Sequence, residues 1–154
     1  MNIIFWTIIL SILPISELRG GIPYAILNGI SPLTAFIISV VANILIIPVI
    51  FLFLDYINWF FLKNKTYEKA FNYYINRKVQ KVKTKYEHLE LTVLFLFVAI
   101  PLPGTGAYTG TLLSWFFGLD RKKSFLIIAL GVIVAGIITT ILTITGKTLF
   151  SLIF

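Results

Sequence analysis

Two unbroken apolar runs, together with two apolar runs that proline and glycine interrupt, constrain this chain more than any other feature. The unbroken runs cover residues 33–54 and 124–145. Each is long enough to cross the roughly 30 Å hydrocarbon core of a bilayer, which takes about 20 helical residues. Only 12% of the 154 residues are charged, whereas soluble domains carry about 25%. The sequence therefore predicts a single, all-α integral membrane domain.

The first interrupted run occupies residues 1–30. Its first leg, residues 2–13, is apolar but reaches only roughly 18 Å at 1.5 Å per helical residue, too short to cross a bilayer. A stretch from Pro14 to Pro23 then breaks the helix, and a second short leg ends at Gly29. Because proline disrupts a helix interior, this pattern predicts a re-entrant hairpin whose tip lies inside the membrane.

The second interrupted run, residues 91–119, has two prolines and three glycines between positions 101 and 110. No continuous helix accommodates that composition, so a second re-entrant hairpin is predicted. Each hairpin is followed by a glycine, an N-cap residue and a spanning helix, the helices being predicted over 32–54 and 123–146. Because each half makes one net crossing, the halves form an inverted repeat, which is typical of transporters with broken helices.

The segment 55–90 joins the two halves. Eight of the thirteen Lys and Arg residues lie between Lys63 and Lys85, and apolar residues recur there at helical spacing. A cytoplasmic, basic amphipathic helix on anionic lipid is one interpretation, and a solvated connecting helix is the other. The charge of +7 is thus a topology signal and predicts no nucleic-acid partner. The positive-inside rule places 63–85 and 121–123 in the cytoplasm and both termini outside.

Glu17 and Arg19 are the candidate functional residues at the first tip, since ionisable groups at membrane depth are costly. Glu17 is predicted to couple a proton; burial favours its neutral form and adjacent Arg19 its anion, so the net effect stays open. Arg19, next to Gly20, Gly21 and the start of a half-helix, is predicted to bind an anion. The alternative is an ion pair between Glu17 and Arg19 that only clamps the hairpin.

The second tip carries no charge, but its glycines allow close backbone approach and its side chains supply hydroxyl groups. The remaining predicted substrate contacts are Tyr24, Pro103, Gly104, Thr105, Gly106, Tyr108, Thr109 and Arg121. Alternatively, the glycines serve only the turn, and topology alone accounts for Arg121. The chain has no cysteine and one histidine, His88, and lacks a Ser/His/Asp set or paired acids at membrane depth. No enzyme activity, cofactor or metal is therefore predicted.

Residues 14–25, with Pro14, Glu17, Arg19 and Pro23, and residues 101–108, PLPGTGAY, resemble the two signature segments of prokaryotic small multidrug export membrane proteins. That family is distantly similar to the DedA superfamily, whose members have two opposed re-entrant hairpins. The resemblance implies the cytoplasmic membrane of a prokaryote. The DedA similarity implies that a lipid carrier, such as undecaprenyl phosphate or a phospholipid, is moved between leaflets with proton or sodium coupling.

DedA proteins have acidic residues in the first hairpin and arginines around the second. Glu17 matches the acidic residues of the first hairpin. Here the second tip has no arginine and Arg121 is the nearest. The leading hypothesis is therefore a secondary transporter that flips an anionic lipid headgroup. Proton-coupled export of small cationic drugs and a non-transporting membrane scaffold are the alternatives. Because two spans and two hairpins bury few polar groups alone, a homodimer is expected.

Overall fold

A computed structural model describes residues 2–62, 87–102 and 104–153. Within these ranges the chain is helical and has no strand. Its helices are α1 (Ile3–Ile12), α2 (Glu17–Leu27), α3 (Pro32–Leu62), α4 (Glu87–Ala99), α5 (Ala107–Phe116) and α6 (Arg121–Ile153). Helices α3 and α6 are long and apolar enough to cross a membrane, which confirms an all-helical chain compatible with a membrane protein. The predicted basic segment over residues 63–86, and Pro103, lie outside the described residues.

The long helices α3 and α6 run antiparallel. Arg121, at the start of α6, donates to Asp55 near the end of α3 at 2.7 Å. Toward the other end of both helices, a Cβ on Gly136 would lie 2.9 Å from the ring of Phe36. The basic triplet 121–123 therefore lies at the end of the molecule where α3 leads into the basic segment, in agreement with the common side predicted for both. Which side of the membrane this is stays a prediction.

Helices α2 and α5 end in the same way. Gly29 and Gly118 have φ values of 92° and 67°, in the left-handed region that favours glycine. Each pair of amides after the helix donates back to two carbonyls of its last turn, as in a Schellman motif. The donor and acceptor pairs are Gly29 to Ile26, Ile30 to Ala25, Gly118 to Trp115 and Leu119 to Ser114.

The predicted N-caps that follow are also confirmed. Ser31 Oγ accepts from the Thr34 amide at 3.2 Å, and Asp120 Oδ1 accepts from the Lys123 amide at 2.9 Å. These side chains satisfy amides that have no partner inside the helix. Both halves therefore have the same order of elements along the chain: a short helix, a glycine turn, an N-cap and a long helix.

The predicted break between Pro14 and Pro23 is too long. The chain is non-helical only between α1 and Glu17, and α2 continues through Gly20, Gly21 and Pro23. Proline removes one donor, and α2 tolerates that loss. A Cβ on Gly21 would overlap Ser11 Oγ and lie 3.0 Å from Ser39 Oγ, so this glycine brings α1, α2 and α3 close together.

Both long helices extend beyond their predicted ends at residues 54 and 146. Helix α3 continues through Asp55, whose carboxylate accepts from Trp115 Nε1 at 3.0 Å and from Arg121. These contacts join the last turns of α3 to α5 and α6.

Small residues on α6 let α4 pack closely, as the spacing of Gly131, Ala135 and Thr139 predicts. A Cβ on Gly131 would lie 2.8 Å from Val98 Cβ, and one on Gly110 of α5 would lie 2.6 Å from the same side chain. Ala135 is buried. Val98 of α4 therefore fills the space that Gly110 and Gly131 leave. This packing holds α4 and α5 against α6.

Candidate functional site

The chain is broken between α1 and α2 and between α4 and α5, and the breaks of these two short helix pairs meet. We call the region formed by residues 12–19, 100–102 and 104–108 the junction. Glu17 Oε1 accepts from the backbone amide of Tyr108 at 3.1 Å. The Tyr108 hydroxyl donates in return to the carbonyl of Ile12, at the end of α1, at 2.5 Å. Arg19 donates to the carbonyl of Leu102. Each pair thus supplies side chains that satisfy the broken backbone of the other.

Glu17 acts as an N-cap for α5, although it belongs to a different part of the chain. Its side chain is only 5% exposed, and it accepts from the amide of Tyr108 in the first turn of α5. The first amides of a helix lack intrahelical partners and carry the positive end of the helix dipole, so they favour an anion. Glu17 therefore occupies a position that has the properties of an anion site.

Gly106 leaves the room that the Glu17 carboxylate fills. A Cβ on Gly106 would overlap one carboxylate oxygen and lie 2.7 Å from Cδ of Glu17. The φ of Gly106 is 147°, in the region that side-chain-bearing residues rarely adopt. Glu17 itself has a φ of 48°. Positive φ at a non-glycine residue is uncommon and clusters at functional sites.

Arg19 organises the non-helical stretch of the second pair. Besides its bond to the Leu102 carbonyl, its Nη2 donates to Thr105 Oγ1 at 2.9 Å. The Thr105 hydroxyl lies 2.9 Å from the carbonyls of both Ile100 and Leu102. The guanidinium thus lies at the carboxyl end of α4, where the helix dipole favours a cation.

Glu17 and Arg19 form no ion pair with each other within the described part of the chain, where the ion pair that is present joins Arg121 and Asp55. Instead, each charge faces the backbone groups of the second helix pair. Glu17 lies at an amino end and Arg19 at a carboxyl end. The ends of α4 and α5 at the second break therefore stabilise both charges.

Of the other predicted site residues, Gly104, Thr105, Gly106, Tyr108 and Thr109 lie at the junction or next to it. The Thr109 hydroxyl donates to the Gly104 carbonyl at 2.9 Å.

Four predicted residues lie elsewhere. Gly20 and Gly21 pack within the first pair against Ser16 and Ser11. Tyr24 lies further along α2 and adds no side-chain hydrogen bond to the junction among the residues described. Arg121 lies at the far end of α3, bonded to Asp55. Their role in substrate binding stays a prediction.

The contacts that the sequence did not reveal are mainly backbone acceptors and Asp55. The carbonyls of Ile12 and Leu102 become acceptors only because the breaks meet in space. The Asp55 carboxylate accepts from Trp115 and Arg121, and the Arg121 guanidinium lies 5.9 Å from the Phe51 ring centre. A lone carboxylate just after an apolar run was the available signal.

The chain matches one family model, described as "Putative small multi-drug export protein", over residues 17–138. The match begins at Glu17, directly after the first break, and includes the second break, all of α3 and the first half of α6. No curated protein and no solved structure matches the chain. Since the match spans most of the sequence, the chain belongs to the family of small multi-drug export proteins.

Proposed function

We propose that the protein is a small secondary transporter that moves the anionic headgroup of a lipid, such as a polyprenyl phosphate or a phospholipid, with proton coupling at Glu17. The observation that carries this proposal is the carboxylate of Glu17 at the amino end of α5, 3.1 Å from the Tyr108 amide. A helix amino end binds phosphate as readily as carboxylate. Glu17 and a phosphate oxygen therefore compete for the same donors.

Protonation of Glu17 is the coupling step. A neutral carboxyl gains less from the helix dipole than a carboxylate does, so a protonated Glu17 releases the amide of Tyr108. A phosphate oxygen then takes its place in the space next to Gly106, with Arg19 supplying a fixed positive charge nearby. One proton and one anionic headgroup thus bind together, and the headgroup leaves when the proton does.

The architecture that suits this step is an inverted repeat of two re-entrant hairpins, each followed by a spanning helix. The identical glycine turns and caps of the two halves support it. The second pair folds back on itself, because Glu90 near the start of α4 and Phe117 after α5 line one pocket. Two opposed hairpins whose tips meet at mid-membrane give alternating access by rocking about the junction. The distant similarity to DedA proteins is part of this proposal.

The family description favours a second candidate, the proton-coupled export of small cationic drugs. In that case Glu17 would bind either the drug or the proton, and Arg19 would only hold the second break. The two candidates differ in the sign of the substrate charge. They also differ in the expected effect of removing Arg19.

The test is transport in liposomes that contain purified protein, using a fluorescent polyprenyl phosphate in one set and a fluorescent cationic dye in another. We expect movement of the phosphate lipid that Arg19→Ala abolishes and Glu17→Gln uncouples from the proton gradient. The control is Glu90→Gln, which changes a carboxylate away from the junction. Movement of the dye alone, unaffected by Arg19→Ala, would replace this proposal with drug export.

A further inference from the structure

A groove of about 470 Å³ between α2 and α6 begins at the junction. On α2 its lining residues recur every fourth position from Arg19 to Leu27, and on α6 they include Thr139, Thr143 and Lys147. Residues four apart share one face of a helix, so the two stripes face each other. From Thr139 to Lys147 the groove extends roughly 12 Å along α6, at 1.5 Å per residue.

The groove is positively charged. Arg19 lines its inner end and Lys147 its outer end, and no acidic side chain is among the described residues that line it. Within the described ranges, Arg19 Nε and Thr139 Oγ1 are buried without a hydrogen-bond partner, and Thr139 is only 7% exposed. Buried polar atoms in proteins normally have partners. The two basic lining residues, Arg19 and Lys147, favour a polar, anionic ligand.

The lining is also suited to an aliphatic tail. Leu142 and Phe150 line the groove beside the polar positions, and Leu142 is 63% exposed. In a membrane this apolar side faces lipid, so a tail can lie along it while the headgroup stays between the basic side chains. A phosphate with an alkyl chain thus matches the groove better than a free anion.

A second groove, of about 380 Å³, occupies the equivalent position between α3 and α5. The two halves can be aligned so that Gly29 matches Gly118 and Ser31 matches Asp120. In this alignment, several residues that line the first groove correspond to residues that line the second. The pairs are Arg19 with Tyr108, Pro23 with Leu112, Leu142 with Phe53 and Thr143 with Leu54. Because α3 and α6 are antiparallel, the two grooves extend from the junction toward opposite ends of the molecule.

The two grooves differ in charge. Among the described residues, the α3–α5 groove is lined by apolar side chains, Tyr108 and Thr109, and by no charged side chain. An anion that moves from the first groove to the second therefore leaves two cations and meets none. Affinity is thus high on one side of the junction and low on the other.

We propose that the α2–α6 groove is the loading site for a phosphate headgroup with an aliphatic tail, and that the α3–α5 groove is the path of release. This inference rests on the proposed function, since it assigns the two ends of the same path. Lys147 attracts the headgroup at the mouth, the Thr139 and Thr143 hydroxyls lie along the groove, and Arg19 receives the phosphate at the junction. With the orientation predicted from the basic residues, loading takes place from the outer leaflet.

The test uses the absence of cysteine from the chain. Single cysteines are introduced by Leu142→Cys in the first groove and by Phe53→Cys at the equivalent position of the second. The native side chains are 63% and 61% exposed, so the two sites form a matched pair and neither substitution disturbs a core. The rate of maleimide modification is measured in detergent micelles, with and without dodecyl phosphate.

We expect dodecyl phosphate to slow modification of the cysteine at position 142 by about tenfold at a concentration about ten times the dissociation constant. The cysteine at position 53 should change less than about twofold. Lys147→Gln should raise the concentration needed for half-protection by roughly tenfold, the size of one charge-assisted hydrogen bond. Lys147→Arg should preserve protection, and Lys122→Gln, at the other end of α6, should leave it unchanged.

Two further probes define the ligand. Dodecyltrimethylammonium carries the same tail with a positive charge, and inorganic phosphate carries the charge without a tail; neither should protect. Equal protection by the cationic amphiphile, or no effect of Lys147→Gln, would overturn the anion site. Equal protection by inorganic phosphate would overturn the assignment to a lipid.

This binding experiment is independent of transport. Protection of position 142 without any flipping in liposomes would retain the groove and refute the proposed function. Coupled flipping without protection would retain the proposed function and refute this loading path. The two failures are therefore distinguishable.

Discussion

Glu17 and Gly106 form the most specific contact of the junction at the scale of single residues. The carboxylate fills the space that the missing Cβ leaves, and it accepts from the first amides of α5. The residue types at the two tips were predictable from the sequence, because charge and glycine in apolar runs are unusual. The pairing was not, because Glu17 and Tyr108 are 91 positions apart and only tertiary packing brings them together.

Gly106→Ala should destabilise the protein more than Gly104→Ala. Both glycines have positive φ, 147° and 82°, so both substitutions introduce backbone strain of about 1–3 kcal/mol. Only the Cβ at Gly106 would also collide with Glu17, since no atom lies within 4 Å of a Cβ at Gly104. Thermal unfolding in detergent measures the difference, and equal losses would show that the collision is unimportant.

Glu17→Ala should restore part of the stability that Gly106→Ala removes. The carboxylate and the new Cβ compete for one space, so the two substitutions are expected to be non-additive. A double-mutant cycle on unfolding temperatures tests this coupling. Strict additivity would contradict the assignment of Glu17 to the space next to Gly106.

At the scale of helices, the described elements agree with the apolar runs of the sequence, and several of them extend beyond the residues predicted for them. Apolar length predicted α3 and α6, and the caps at Ser31 and Asp120 were predicted from local chemistry. The predicted break after Pro14 is longer than the observed one, because Gly20, Gly21 and Pro23 were interpreted only by their helix propensity. Packing overrides propensity there, since Gly21 lies against Ser11 and Ser39.

Gly131→Ala and Gly146→Ala should have opposite effects on stability, although both glycines are in α6. A Cβ at Gly131 would lie 2.8 Å from Val98, whereas nothing lies within 4 Å of one at Gly146. We expect a loss of about 1–3 kcal/mol from overpacking at Gly131. At Gly146 we expect a gain of up to about 1 kcal/mol from helix propensity. Unfolding in detergent measures both, and a neutral Gly131→Ala would argue against close packing of α4 on α6.

At the scale of the whole molecule, the repeated order of a broken pair, a glycine turn, a cap and a long helix was predictable from the spacing of motifs. The equivalence of the two grooves was not, because it requires the antiparallel packing of α3 and α6. The structure adds an asymmetry of charge to this repeat: among the described residues, Arg19 and Lys147 line one groove, whereas no charged residue lines the other.

The predicted orientation can be tested with two single cysteines in whole cells. Ser31 lies between α2 and α3. The cysteine of Ser31→Cys should react with an impermeant maleimide in intact cells. Lys122→Cys, in the basic triplet, should react only after the membrane is permeabilised. The reverse pattern would place the basic residues outside and contradict the positive-inside assignment.

Proton coupling through Glu17 is tested by the rate of phosphate-lipid flipping in liposomes as a function of an imposed pH gradient. We expect a proton gradient to accelerate flipping by the native protein and by Glu90→Gln. Glu17→Gln, which mimics the protonated side chain, should lose this dependence. Equal acceleration of the Glu17→Gln variant by the gradient would show that Glu17 does not couple the proton.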